Sequence, residues 1–273
     1  MYLNTNIMAM NAYRRYSKNV AMLSKSIMRL SSGYRINSVA DDPAGLAISE
    51  KMRAQIRGLN MASRNCQDAI SLIQTAEGSM QSSHNILQRM RELAVQASSD
   101  TNENDIDRDA LNKEFIELAK ELDEISSQTQ YNDQNLLDGS WNKKSIQTGP
   151  NQGDELTFSI DSVGLKALGL RGFDLSDRES ASEAITAVDN AINRLSSQRA
   201  NLGALHNRLE FKISNLETMA ENLTAAESRI RDVDYAKEIM EFTRYQILTQ
   251  VSMAIMAQAN ALPHTVLKLF ENL

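Results

Sequence analysis

Cysteine is almost absent from this chain: Cys66 is the only one in 273 residues, so no disulfide can close within it and a disulfide-stapled scaffold is excluded. Three prolines, eleven glycines and 5% aromatic residues leave little of the material of sheets and tight turns, so long helices are expected. Basic stretches interleaved with aromatics are missing and the net charge is −6, which gives no reason to expect nucleic acid or an anionic membrane as a partner. The three histidines, His84, His206 and His264, lie far apart in the sequence and in no zinc-ligand spacing or nucleophile motif. There is no phosphate-cradling glycine loop and no His-Glu-x-x-His, so neither an enzyme nor a cofactor is expected. The start, MYLNTNIMAMNAY, lacks the basic region and the continuous apolar run of a cleaved signal peptide.

Charge is missing from two further places. Tyr245 to Leu267 carries none, a length that could cross a bilayer, yet Gln246, Gln250, Gln258, Asn260 and Pro263 lie inside it. A helix buried among other protein helices, ending before Pro263, fits better than membrane insertion. Met1 to Tyr13 is also uncharged, so both ends are apolar while the middle carries the charge. Such ends on a soluble body suggest segments that find partners in other copies.

What the chain does have is a heptad-like repeat. Ala9, Tyr13, Tyr16, Val20, Leu23, Ile27 and Leu30 are spaced 4, 3, 4, 3, 4, 3, the mark of a helix with one narrow apolar seam that needs a partner. Gly33 stops it, and Asp42 with Pro43 restarts a helix as N-cap and first helical residue. From Leu59 through Ala62, Cys66, Ala69, Ile73, Ala76, Met80, Ser83, Leu87 and Met90 to Ala94 the spacing continues, so one helix is expected over residues 43–97, roughly 80 Å long at the usual rise. Cys66 falls on that seam, which favours inert packing over reactivity. The polar joint between the two helices, with Arg35, Asp41 and Asp42, is either a solvated loop or a contact surface used in assembly.

After a polar turn at Ser98 to Asn104, the residues Leu111, Phe115, Leu118, Leu122 and Ile125 predict a shorter helix folding back antiparallel. Asp105, Asp107 and Asp109 mimic a calcium loop, but Ala110 stands where the glycine belongs and Ile116 where the glutamate belongs. Carboxylates at a helix N-terminus explain the same residues, and no metal is expected. Between residues 140 and 165 the period changes to two, with Leu156, Phe158 and Ile160 alternating with polar neighbours, and a small β-hairpin is expected as the only sheet. Ser162 to Ser180 turns the chain back. Helix resumes near Ser180, its seam running from Ile185 to Leu223, and breaks again at Arg231 to Asp234. The expected fold is mainly α: a long antiparallel helical bundle or coiled coil with paired N- and C-terminal helices and a small β-hairpin region.

Several long stretches carry a resemblance. LNTNIMAMNA at 3–12, RLSSGYRINSVADDPAGLAIS at 29–49, LQRMRELAVQAS at 87–98, QTQYNDQNLLDG at 128–139, RIRDVDYAKE at 229–238 and QILTQVSMAIMAQANALP at 246–263 resemble bacterial flagellin, the filament subunit, in family order over essentially the whole chain. The short form is indicated, without large inserted outer domains. The resemblance implies that residues 1–42 and 231–273 form a paired, channel-lining inner domain with a spoke, and residues 43–230 an outer rod with its hairpin. It also implies polymerisation through Ile7, Val20, Leu23, Ile27, Leu30, Arg35, Asp41, Asp42, Ile247, Val251, Ile255 and Leu262. By the same resemblance the chain is secreted to the extracellular flagellum through the flagellar type III export channel. Its implied partners are copies of itself, an export chaperone, and hook-junction and cap proteins. Host recognition by the flagellin-sensing Toll-like receptor is implied at Gln88, Arg89, Arg91, Leu93 and Glu114. A hook–filament junction or cap protein of similar design, or a non-flagellar helical interaction partner, are the alternative readings.

Overall fold

The computed structural model describes the backbone of residues 5–99 and 105–271 and the side chains of residues 5–99 and 108–262. In chain order the elements are α1 (Ile7–Ser32), α2 (Pro43–Ala97), α3 (Asp105–Gln128), β1 (Gln130–Tyr131), β2 (Gln134–Asn135), β3 (Lys144–Gln147), β4 (Glu155–Phe158), α4 (Leu165–Leu168), α5 (Arg178–Arg231) and α6 (Tyr235–Glu271). Most of the polar turn expected over residues 98–104 lies outside the described residues, as do the side chains of Asp105 and Asp107. No group of acidic, histidine or cysteine side chains suited to a metal occurs among the described residues. None of the described helices is long and apolar enough to cross a membrane.

The chain divides into two compact units. A middle unit spans Arg57–Ala220, and a terminal unit takes the chain up to Ile56 and from Glu221 onward. The middle unit is built on the α2 repeat. Every expected seam residue from Leu59 to Ala94 is at most 2% exposed, Cys66 included. Burial pushes the Cys66 thiol above its ordinary pKa, which disfavours the reactive thiolate. Ser83, the one hydroxyl on the seam, donates to the Ser79 carbonyl at 3.1 Å and so costs little. α3 lies antiparallel to α2, since Arg108 reaches the Ala97 carbonyl at 3.3 Å and Arg89 reaches Glu114 at 2.8 Å. α5 also runs antiparallel to α2, with Gln74 beside His206 and Arg91 beside Asp189.

The hairpin β3–β4 pairs Lys144 with Phe158 through Gln147 with Glu155. Leu156, Phe158 and, just beyond the strand, Ile160 are buried as the alternation requires, and Trp141 covers Phe158 at a ring separation of 6.0 Å. Asn65 on α2 holds the hairpin by donating to the Gln147 carbonyl at 3.1 Å. Gly58 permits the close approach: a Cβ there would come within 2.9 Å of the Pro150 Cβ.

Three features depart from expectation. A second hairpin, β1–β2, pairs Gln130 with Asn135 and Tyr131 with Gln134. Its two-residue loop is Asn132–Asp133, with φ of 50° and 58°, the twisted turn that Asn and Asp tolerate best. The turn-back over residues 162–180 contains the short helix α4, ended by Gly169 at φ 78°. Most consequentially, α6 does not stop before Pro263 but continues to Glu271.

Candidate assembly surface and spoke

The terminal unit is organised by α1 and α6, which pack antiparallel: Asn6 meets Ala259, Asn19 meets Ser252, and Tyr235 meets Leu30. The seam between them is not the one expected. On α1 the inward positions are Ala9, Ala12, Tyr16, Asn19, Leu23, Ser26 and Leu30, still spaced 3 and 4 but moved one residue off the largest side chains at three steps. Ala12 and Ser26 are buried, while Tyr13, Val20 and Ile27 are exposed, Tyr13 by 60%. Small residues let the two backbones approach, and that leaves the bulky residues on the outside.

α6 repeats the design. Glu238, Phe242, Tyr245, Thr249, Ser252, Met256 and Ala259 face inward to differing depth. Ile239, Met240, Ile247, Leu248, Val251, Met253, Ile255 and Leu262 are exposed. The inner seam is held by polar contacts. Asn19 donates to Ser252 Oγ at 2.9 Å, Tyr235 donates its hydroxyl proton to the Leu30 carbonyl at 3.3 Å, and Arg29 stands 3.6 Å from Glu238. An apolar groove of 330 Å³ lined by Ala9, Met10, Tyr13, Arg14, Met256 and Asn260 opens on the surface of the pair.

At the foot of α1 the chain turns through a tightly bonded joint. Gly33, at φ 75°, ends the helix with its N–H on the Arg29 carbonyl. The backbone then pairs with the segment between α5 and α6: the Arg35 N–H donates to the Arg231 carbonyl at 2.7 Å and the Val233 N–H to the Gly33 carbonyl at 3.0 Å. The Tyr34 ring carries Arg231 at 4.9 Å and Arg53 at 5.7 Å, and these guanidiniums pair with Glu50 and Glu227. The Arg35 guanidinium donates to the Ile230 carbonyl. Asp41 receives Lys25 at 2.6 Å and the N–H groups of Asn37 and Ser38 at 3.1 and 3.2 Å. Hydrogen bonding from Lys25 first, then from those amides, outweighs desolvation and lowers the Asp41 pKa to about 2. Asp42 caps α2 through the Gly45 N–H at 2.9 Å, as its place before Pro43 predicts. The joint is thus a set of fixed polar contacts around the buried Ile36, with Val39 turned outward.

In the middle unit a separate exposed face carries charge. Arg89 donates from Nε and Nη2 to Glu114 at 2.9 and 2.8 Å and from Nη1 to Glu92 at 3.1 Å. Arg91 pairs with Asp189 at 2.6 Å, and Gln88 lies 3.0 Å from His84. Leu93, expected on this face, is wholly buried and presents no surface. Its position between Met90 and Ala94 widens the α2 seam, so its place in the set is corrected to core.

Comparison with known proteins decides what these parts belong to. Residues 3–142 match the bacterial flagellin N-terminal helical region and residues 185–270 the bacterial flagellin C-terminal helical region. The chain belongs to the bacterial flagellin family. It is 52% identical over 271 residues to a flagellin of Halalkalibacterium halodurans, with 98% of this chain and 99% of the relative covered. Identity to a flagellin of Bacillus subtilis is 47% over 302 residues, covering 98% and 99% of the two chains. The crystal structure of Bacillus cereus flagellin covers 60% of this chain and 94% of its own, at 37% identity and a TM-score of 0.52. A putative flagellar hook-associated protein from Vibrio parahaemolyticus gives a TM-score of 0.60 over 70% of this chain and all of its own, at 12% identity, which speaks to the fold alone. As a flagellin of the short form, this chain is a structural subunit of the flagellar filament, an extracellular appendage built of copies of the subunit.

Proposed function

We propose that this flagellin polymerises through the apolar faces that α1 and α6 turn away from each other, and that these faces become ordered on joining the filament tip. The observation that supports this reading is the run of exposed large residues: Ile7, Tyr13, Val20 and Ile27 on α1, with Ile247, Val251, Ile255 and Leu262 on α6. A single copy leaves them in water, and neighbouring copies would remove them at about 25 cal/mol per Å² of apolar area, offsetting the entropy of ordering. Leu23 and Leu30, half-buried in the pair, would position the face. Arg35, Asp41 and Asp42 would hold the spoke in one geometry during assembly. On this reading residues 1–42 and 231–273 line the filament channel and residues 43–230 form the outer body. Before assembly the chain would leave an export chaperone, travel unfolded through the export channel, and later meet hook-junction and cap proteins. Deleting Thr249 to Leu273 tests this: a soluble middle unit that forms no filament is expected, and filaments in electron micrographs of the truncated chain would contradict it.

A second role at a different surface is favoured by two exposed guanidiniums of α2, Arg89 paired with Glu114 on α3 and Arg91 with Asp189 on α5. Gln88, Arg89, Arg91 and Glu114 would be read by a flagellin-sensing Toll-like receptor, with Leu93 buried in the core of the middle unit. Arg89→Ala is expected to weaken binding to the purified receptor ectodomain by roughly ten- to a hundredfold, since a charge-assisted hydrogen bond contributes about 1.5–3 kcal/mol. Unchanged affinity would remove the site.

A further inference from the structure

α6 contains a proline well inside its length, and the helix passes through it. Proline has no N–H, so the carbonyl four residues earlier, that of Ala259, loses its helical donor. Ala259 is buried against α1, where water is a poor replacement and an unpaired carbonyl is costly. The replacement donor is Asn6. Its Nδ2 donates to the Ala259 carbonyl at 2.7 Å, while its Oδ1 accepts from the Ala9 N–H at 3.0 Å as the N-cap of α1. One carboxamide therefore uses its two ends on two helices 253 residues apart in sequence.

We infer that Asn6 is a positioning residue that locks the register at the open end of the terminal helix pair, where the contacts of the joint, of Tyr235 and of Asn19 no longer reach, and that Pro263 creates its docking point. A heptad seam by itself defines register weakly, because sliding by seven residues places seam on seam again. Here large inner residues such as Tyr16, Leu23 and Phe242 are interspersed with small or polar ones such as Ala12, Asn19 and Ser252, so polar contacts are needed beside the packing to select one register. Within the interior of α6 a carbonyl stripped of its own donor occurs at Ala259, and only one register brings the cap of α1 to it. The N-terminus of α1 thereby holds the open end of the pair, so that the exposed faces of the two helices keep their relative placement up to the end offered to the next copy. This inference goes beyond the polymerisation reading and does not depend on the order in which termini fold.

The two ends of the carboxamide can be separated by substitution. Asn6→Asp keeps an N-cap acceptor, and a carboxylate suits a helix N-terminus better than an amide does, but it has no donor for Ala259. A residue that only caps predicts Asn6→Asp to be neutral or beneficial; the register role predicts harm. Pro263→Ala restores an N–H at position 263 and returns to the Ala259 carbonyl its own helical donor. Critical concentration for elongation of full-length subunit from wild-type filament seeds is therefore measured for wild type, Asn6→Asp, Pro263→Ala and the double variant. Asn6→Asp should raise it about five- to tenfold, as expected for one lost hydrogen bond to a buried group. In the Pro263→Ala background the same change should raise it less than twofold. An equal effect in both backgrounds, or no effect in either, overturns the inference. Should Pro263→Ala fail to elongate, filaments labelled with ¹⁵N on asparagine side chains and ¹³C on alanine carbonyls decide the matter by solid-state NMR. A dipolar coupling between Asn6 Nδ2 and the Ala259 carbonyl carbon that vanishes in Asn6→Asp is the expected result, and its absence from wild-type filaments refutes the assignment. Failure of wild-type seeds to elongate would count against the polymerisation reading instead, and the coupling would then be sought in the soluble chain.

Discussion

α1 and α2 carry the same heptad-like spacing and use it in opposite ways. On α2 every large seam residue between Leu59 and Ala94 disappears into the middle unit, so a single chain satisfies the whole repeat. On α1 the partner helix takes Ala12, Asn19 and Ser26, and leaves Tyr13, Val20 and Ile27 in water. One region is finished by folding, and the other is finished by joining more copies. An apolar period therefore states that a face will be buried without stating by whom; the residue next to it, small or polar, tells the difference.

That contrast can be broken from either side, and the largest effect belongs to the outer face of α6. Val251→Asp places a carboxylate at a position that a single copy leaves in water but would bury it unpaired in the filament. Elongation, followed by light scattering, should cease within the accessible concentration range, while thermal unfolding of the middle unit stays where it was. Leu87→Ala should do the reverse. The side chain is fully buried in α2, so about 2–5 kcal/mol of middle-unit stability should be lost in denaturant titration, whereas terminal residues keep their contacts.

Smaller changes sharpen the comparison. Gly58→Ala forces a methyl to within 2.9 Å of Pro150, and about 1–2 kcal/mol of destabilisation should appear in the same titration of the middle unit. Smallest is the acid response of the joint. The folded Asp41 pKa, lowered to about 2, lies below its ordinary value of 3.8, so its contribution is present above that ordinary value and is lost as pH falls through the folded one. With Lys25 43% exposed the contribution is screened to about 1 kcal/mol. Between pH 4 and pH 2 the dissociation temperature of wild-type filaments should fall more steeply than that of Asp41→Asn, which has no charge there to lose.

The sequence was most legible where one chain closes its own contacts. α2 begins at Asp42–Pro43 and ends at Ala97 as its caps and spacing predict, Gly33 ends α1, and the β3–β4 alternation points Leu156 and Phe158 inward. It was least legible where a second element supplies the missing partner. A proline rule that looks only along one helix ends α6 early, because the donor that repairs Ala259 sits at the other end of the chain. On α1 bulk does not report inwardness: Tyr13, Val20 and Ile27 lie one residue off the inward positions Ala12, Asn19 and Ser26. Leu93 abuts the Ala94 seam position and lies in the core, where a resemblance in sequence alone implies a surface. The β1–β2 hairpin did have a local signal, Asn132–Asp133 between residues that pair, which the helical character of its surroundings obscured. The pairing of Tyr34 with Arg53 and Arg231 had none, since these residues are distant in sequence and meet only when the chain doubles back.

Hydroxyl-radical footprinting of the soluble subunit and of its filaments, read residue by residue by mass spectrometry, tests the contrast between the two helices directly. Tyr13, Val20, Ile27, Ile247, Val251 and Ile255 should be labelled in the soluble subunit and protected at least tenfold in the filament, while Leu87 and Met90 stay unlabelled in both. Equal labelling of the six outer residues in subunit and filament would contradict the claim that copies of the chain complete this face.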